Sequence, residues 1–250
     1  MFRLFRSRRK KRETALDWRP YPDIPPETRA IVERVRPFTL TSVDRVAALC
    51  DAVRYLAEAR IPGDIVECGV WRGGSSMAIA LSLLAAGVRD RNLYLYDTFE
   101  GMPPPTEQDR SHDGRTASEQ LATSERDAPV WAIAGTDEVA RNMAATGYPA
   151  DRLRLVQGKV EETIPGIAPE RIALLRLDTD WYESTRHEFR HLYPRLSVGG
   201  VLVIDDYGHW QGARQATDEY FAEHGIRMLL HRIDYTGRIG VKLDAAGGAP

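Results

Sequence analysis

Val66-Glu67-Cys68-Gly69-Val70-Trp71-Arg72-Gly73-Gly74-Ser75-Ser76 is the stretch on which the reading of this chain turns. Asp64 to Cys68 is a short apolar run of strand character. Gly69 to Gly74 is a glycine-rich turn, and Ser75 to Ala86 reads as a nearly all-apolar, hence buried, helix. A strand entering a tight turn and leaving as a helix is one unit of an open α/β sheet. Ligands in such sheets bind beyond the carboxyl ends of the strands, and glycine there lets the backbone come close to a ligand. The same glycines would equally serve a turn that only has to pack.

A dinucleotide fingerprint requires GxGxxG. Here the glycines fall at 69, 73 and 74, which disfavours an NAD-linked oxidoreductase. Glu67 sets a carboxylate beside the turn, which suits a cationic ligand better than pyrophosphate. S-adenosylmethionine, with a sulfonium, an ammonium and no phosphate, meets that condition. The next strand, Asn92 to Asp97, ends in Tyr96-Asp97-Thr98-Phe99-Glu100-Gly101. An acid at this tip can accept hydrogen bonds from both ribose hydroxyls of a nucleoside. Asp97 as a simple turn cap is the plainer alternative.

Further along, Leu153 to Val156 reads as a third strand and Ile172 to Leu177 as a fourth. Tyr182 to Leu196 is a helix stopped near Ser197-Val198-Gly199-Gly200, and Val201 to Ile204 is a fifth strand. The fourth strand runs into Asp178-Thr179-Asp180 and the fifth into Asp205-Asp206. Parallel strands finish on one edge, so up to four carboxylates gather there. Like charges so close need neutralising, and an all-oxygen donor set favours Mg²⁺, with Mn²⁺ or Ca²⁺ as alternatives. The competing expectation is that these aspartates cap the helices that follow, Asp180 above all, just before Tyr182.

The remaining elements complete an alternating pattern. Thr41 to Arg60 is a helix with Ser42 as its cap and Pro62-Gly63 beyond its end. Thr136 to Thr146 and Gln211 to His224 are helical. Ile226 to Ile233 and Arg238 to Leu243 flank a hairpin turn at 234–237. This predicts an α/β, Rossmann-like class I methyltransferase fold: a mostly parallel seven-stranded sheet with a late antiparallel strand and helices on both faces. Residues 102–130 are polar and irregular, with three consecutive prolines, and read as a lid insertion. The division expected is a basic, disordered tail over 1–26, an N-terminal helical cap over 27–62 and the catalytic domain over 63–245.

Composition agrees with one domain. In 250 residues the hydrophobic share is 43% and the charged share 28%, ordinary for a globular protein. A net charge of -2 gives no reason to expect nucleic acid, and no apolar run has transmembrane length. Two cysteines, Cys50 and Cys68, sit in apolar stretches and read as buried thiols in a cytoplasmic protein. The tail FRLFRSRRKKR reads as solvated, with an anionic surface as its other possible contact.

In these segments the chain resembles the macrocin O-methyltransferase family. The resemblance rests on residues 62–74, on Asp97-Thr98-Phe99-Glu100-Gly101-Met102-Pro103 and on Gly158-Lys159-Val160-Glu161-Glu162-Thr163-Ile164-Pro165. It continues through Leu175 to Asp180, Tyr182-Glu183-Ser184-Thr185 and Tyr193-Pro194-Arg195-Leu196 to Asp205-Asp206-Tyr207-Gly208. It implies O-methylation of a hydroxyl on a glycoside or glycan, with S-adenosylmethionine as donor and Mg²⁺ held by Asp178, Asp205 and Asp206. It implies cofactor contacts at Glu67, Gly69, Val70, Gly73 and Ser75, at Asp97, Thr98 and Phe99, and near the adenine at Gly158, Lys159 and Val160. Asp178 is then the expected general base, with His209 as the other candidate. Trp71, Trp181 and Trp210 are candidate sugar platforms, His112 is a candidate lid contact, and a homodimer is possible. The family step is often Asp-Gly-Asp where this chain has Thr179, and His209-Trp210-Gln211-Gly212 also departs from it. A catechol or other non-sugar diol as acceptor, and a non-catalytic nucleoside-binding protein, are the alternatives.

Overall fold

The computed structural model describes residues 15–126 and 128–243. The expectation of a disordered tail falls mostly outside them. From residue 15 onward the chain is packed, with Leu16 and Trp18 against the main core.

Among the described residues seven strands form one sheet: β1 (Asp64–Cys68), β2 (Leu93–Asp97), β3 (Leu153–Gln157), β4 (Ile172–Leu177), β5 (Leu196–Ile204), β6 (His231–Arg232) and β7 (Arg238–Val241). Their order is β3-β2-β1-β4-β5-β7-β6, and β7 runs antiparallel between β5 and β6. The hairpin turn at 234–237 therefore provides the late antiparallel strand. The central strands are buried on both faces, which is why their sequences are almost continuously apolar.

Helices cover both faces. One side carries α1 (Pro26–Val35), α2 (Val43–Glu58), α3 (Gly74–Ala85) and α5 (Thr136–Ala144), packed over Ile65, Leu93, Leu95, Leu174 and Val203. The other carries α6 (Val160–Thr163), α7 (Tyr182–Leu192) and α8 (Gln211–Glu223), over Val66, Tyr96, Leu175, Leu177 and Leu202. Ser42 caps α2 as expected, its hydroxyl accepting the Arg45 N–H.

Three readings change. The strand expected over Ile226 to Ile233 is reduced to β6, His231–Arg232, the two residues in register with β7. β5 begins at Leu196, five residues before the expected Val201, and α7 stops at Leu192. Ser197 to Gly200 lack the apolar pattern of a strand. Their pairing comes from the far end of the chain: the Gly199 N–H donates to the Lys242 carbonyl at 2.7 Å, and the Lys242 N–H to the Gly200 carbonyl at 2.9 Å. The stretch after Met102 is also less irregular than its composition suggests. It holds α4 (Ala117–Ala122), started by a reciprocal Thr116–Glu119 capping box.

The strand alternation fixes what faces what beyond the core. Ile65 and Glu67, Leu174 and Arg176, Val201 and Val203 point to the α2 side, so the next step up each strand places Gly69, Asp178 and Asp205 side by side. Ladder-like bonds continue past the strand ends, Asp178 N–H to Cys68 carbonyl at 2.8 Å and Asp205 N–H to Leu177 carbonyl at 2.9 Å. Gly69 has φ +82°, and a Cβ there would lie 1.9 Å from the Asp178 carbonyl oxygen. Gly69→Ala should therefore destabilise the fold by about 2 kcal/mol or more. Gly135→Ala, at a position with open space and ordinary φ, should change it by less than about 1 kcal/mol. Urea unfolding of both variants checks this, and equal midpoints would contradict it.

Candidate active site

A cavity of about 360 Å³ opens at the carboxyl ends of the strands, within the range of small-molecule sites. The glycine turn, Asp97 and the Gly158–Val160 segment line one part of it. Asp178, Asp180, Asp205, Asp206, Trp181, His209 and Trp210 line the other. The loop before α2 contributes Phe38 to Thr41.

Beneath the aspartates lies a buried ion network. Arg176 stands opposite Glu67 in the β1–β4 register and is 2% exposed. Its Nη1 donates to Glu67 Oε1 at 2.6 Å and pairs with Asp178 Oδ2 at 2.7 Å. Its Nη2 donates to Asp205 Oδ1 at 2.7 Å. The other Asp205 oxygen pairs with Arg45 from α2, and Arg45 Nε also donates to Asp234 at 3.0 Å. Glu67 has its second oxygen on the Ser76 hydroxyl. Burial pushes the Glu67 carboxyl above its usual range, and Arg176 works against that shift. One arginine thus ties the tips of β1, β4 and β5 together.

The two guanidiniums do not balance the carboxylates around them. Asp206 Oδ2 is buried and has no hydrogen-bond partner among the described residues. Burial, then the adjacent Asp180 carboxylate, pushes Asp206 well above the usual carboxylate range. Burial, then Asp178, pushes Asp180 up to about 7. Asp178, Asp205 and Asp206 each present an oxygen, and these lie within 4.8 Å of one another. An orphaned carboxylate oxygen in an all-oxygen, net-negative cluster fits a hard divalent cation. Asp180 does not cap α7 as its position suggested. It takes φ +67° and turns into the cavity. The Tyr182 N–H at the start of α7 is instead taken at 2.8 Å by Asp109, from the insertion.

Of the residues expected to contact a cofactor, Gly69, Val70, Ser75, Asp97, Thr98, Gly158, Lys159 and Val160 reach the cavity, and Glu67, Gly73 and Phe99 do not. The Glu67 carboxylate is consumed by Arg176 and Ser76. Gly73, at φ +87°, is the residue that lets the chain enter α3. Phe99 packs into the core under its own turn. Asp97 does more structural work than a free ribose acceptor would. Its Oδ2 accepts the Val70 and Trp71 N–H groups at 2.7 and 2.9 Å, and Oδ1 accepts the Phe99 N–H at 2.7 Å.

Asp109 is the main site-supporting residue that sequence reasoning missed. It is fully buried; Oδ2 accepts the Thr106 N–H and hydroxyl, and Oδ1 binds α7. Arg45 was missed too, because its partners lie some 160 and 189 residues away. No local pattern signals such contacts. At the cavity mouth three rings from separate segments meet. His209 Nδ1 lies 3.1 Å from the Tyr235 hydroxyl, and the His112 ring is centred 5.3 Å from that of His209. His112 itself does not line the cavity. Burial, then His112, lowers the His209 pKa. Trp181 and Trp210 pack edge to face, 5.0 Å apart.

The sheet order, the antiparallel β7 and the glycine turn over the cavity define a class I, S-adenosylmethionine-dependent methyltransferase fold. The profile of the family described as Macrocin-O-methyltransferase (TylF) matches residues 4–240, and the chain belongs to that family. It is an O-methyltransferase. Demethyldecarbamoylnovobiocin O-methyltransferase of Streptomyces niveus is 34% identical over 80% of this chain and 73% of its own. Mycinamicin III 3''-O-methyltransferase of Micromonospora griseorubida is 35% identical over 80% and 76%. The solved structure of the O-methyltransferase NovP superposes with TM-score 0.73 at 32% identity, covering 83% of each chain. The calicheamicin methyltransferase CalS11, at 17% identity and TM-score 0.62 over 91% of this chain and 97% of its own, shares the fold. Among the described residues, no helix is long and apolar enough to cross a membrane.

The ion network yields a direct expectation. Arg176→Met leaves Glu67, Asp178 and Asp205 without their shared partner, and breaking buried pairs of this kind costs about 3–5 kcal/mol. Arg176→Lys should also lose stability, since an ammonium lacks the planar fork that serves three carboxylates. Chemical denaturation measures both, and an unchanged midpoint for Arg176→Met would show the network to be dispensable.

Proposed function

We propose that the protein transfers the methyl group of S-adenosylmethionine to a hydroxyl of a sugar or glycosylated metabolite, with Mg²⁺ held by Asp178, Asp205 and Asp206. The observation that carries this reading is the convergence of three carboxylate oxygens from adjacent strand tips within 4.8 Å. They line the same cavity as Asp97 and the glycine turn. A sugar acceptor is supported by the relatives, one of which is named for a position on a rhamnosyl-tetracenomycin. When bound, a dication at this cluster would supply positive charge that makes a nearby hydroxyl more acidic.

The chain's own groups do the rest. The reaction is an in-line displacement: the acceptor oxygen bonds to the methyl carbon, the carbon–sulfur bond breaks, and the hydroxyl proton leaves to a base. Asp178 is the base best placed, because it lines the cavity with one oxygen held by Arg176. Asp97 Oδ2 is taken by two backbone N–H groups, and Oδ1 by the Phe99 N–H with the Thr98 hydroxyl at 3.5 Å, so Oδ1 offers room for one ribose hydroxyl rather than two. Gly158, Lys159 and Val160 flank the adenine end. Trp181 and Trp210 form an apolar wall for the acceptor, and the insertion, anchored through Asp109, keeps water from the reacting atoms.

One observation favours His209 as an alternative base: its imidazole lines the cavity with Nδ1 beside the Tyr235 hydroxyl, leaving Nε2. His209→Ala should lower turnover by less than about tenfold if Asp178 takes the proton. A loss of about a hundredfold or more would move the role to His209.

Methyl transfer from labelled S-adenosylmethionine to panels of glycosides and of catechols, with Mg²⁺ and with EDTA, tests the reading. Activity on glycosides that EDTA removes and Mg²⁺ restores is the expected result. EDTA-resistant activity refutes the metal, catechol preference refutes the acceptor, and cofactor binding with no transfer to any acceptor favours a binding protein. Asp206→Asn removes a charge whose Oδ2 has no hydrogen-bond partner among the described residues, so it should abolish metal-dependent transfer and leave cofactor affinity within about threefold.

A further inference from the structure

The turn that carries Asp178 into the cavity rests on a buried acid that the proposed chemistry does not use. Glu188, on α7, is fully buried. Its Oε1 accepts a hydrogen bond from the Thr179 hydroxyl at 3.0 Å. Among the described residues its Oε2 has no hydrogen-bond partner of normal geometry, and the Cys68 thiol at the tip of β1 interacts with the same carboxyl. Charges acting on it include the Glu161 and Asp178 carboxylates, both of the same sign. An acid in such surroundings is unfavourable on its own account.

The hydrogen bond it accepts comes from the middle residue of the Asp178-Thr179-Asp180 step. That step is a sharp turn. The Trp181 N–H donates to the Thr179 carbonyl at 2.7 Å, and Asp180 is held in the left-handed region at φ +67°. The main chain is fixed on one side by the Asp178 N–H bond to Cys68. The Thr179 side chain is fixed from below by Glu188. Asp178 and Asp180, either side of it, line the cavity.

We infer that Glu188 is a positioning residue: by holding the Thr179 hydroxyl from beneath, it fixes the turn that aims Asp178 at its partners Asp205 and Asp206, and so sets the affinity of that cluster for a divalent cation. The inference rests on the metal reading above. Groups that orient ligands from behind change metal affinity by about 10- to 100-fold when removed. Thr179 and Glu188 act as one unit here, so removing both should be no worse than removing either.

The test is Mn²⁺ binding to the full chain by calorimetry, with S-adenosylmethionine binding measured alongside without metal. The variants are Thr179→Val, Glu188→Leu, Glu188→Gln and the double Thr179→Val/Glu188→Leu. Thr179→Val and Glu188→Leu should each weaken Mn²⁺ about tenfold, and the double variant should match them within about twofold. Glu188→Gln, whose carbonyl still accepts from Thr179, should stay within about threefold of the parent. Cofactor affinity should hold within about twofold throughout, because the glycine turn and Asp97 lie outside the contact. Thr179→Val or Glu188→Leu binding Mn²⁺ like the parent overturns the inference. So does a double variant with the product of the single losses, or a parallel loss of cofactor affinity, which marks Glu188 as a general structural residue. A parent that binds no Mn²⁺ overturns the metal reading and this inference with it.

Discussion

Arg176 donates to Glu67, Asp178 and Asp205, three carboxylates from three neighbouring strands, with almost none of its side chain exposed. A guanidinium is buried at a large desolvation penalty unless its donors are met by well-placed acceptors. The sheet supplies them because Glu67 lies directly across from Arg176, and Asp178 and Asp205 stand one step further up their own strands. The interaction therefore requires correct register in two strand pairs at once. A slip of one residue in β4 would move the guanidinium to the α7 side, against Leu175 and Leu177. The sheet edge that floors the cavity is aligned by the same charges that line it.

The network also explains the character of the cavity floor. Arg176 and Arg45 satisfy Asp205 from both sides, yet leave Asp206 and Asp180 crowded and short of positive charge. The arginines organise the acidic cluster and stop short of neutralising it. That shortfall is what the proposed dication would make good. Around the cluster, elements far apart in sequence supply the walls: the loop before α2, the Asp109-anchored insertion, and the hairpin that brings Tyr235 to His209. Gly208 shows how tightly that hairpin is seated, since a Cβ there would fall 1.9 Å from the Tyr235 carbonyl oxygen.

Much of the outline was legible because it is written in local pattern. Apolar strands alternating with helices gave the parallel sheet, and the Asp234–Gly237 turn gave the reversed last strand. Ile172–Leu177 emerged with the bounds expected of it. The aspartates at the ends of β4 and β5 converge because parallel strands finish on one edge, which follows from topology alone. Where the reading went astray, the deciding partner was remote. The start of β5 is paired by Lys242, Glu67 is claimed by Arg176 from another strand, and the cap of α7 comes from Asp109.

By itself, then, the sequence determined the class of sheet, the place of the ligand edge, and which acids could gather there. Periodicity and turn chemistry are properties of neighbouring residues and survive without coordinates. The tertiary structure alone decided which carboxylates remain available. A carboxylate has a fixed number of lone pairs, and whether Glu67, Asp97 or Asp206 has spent them depends on groups tens to more than a hundred residues away.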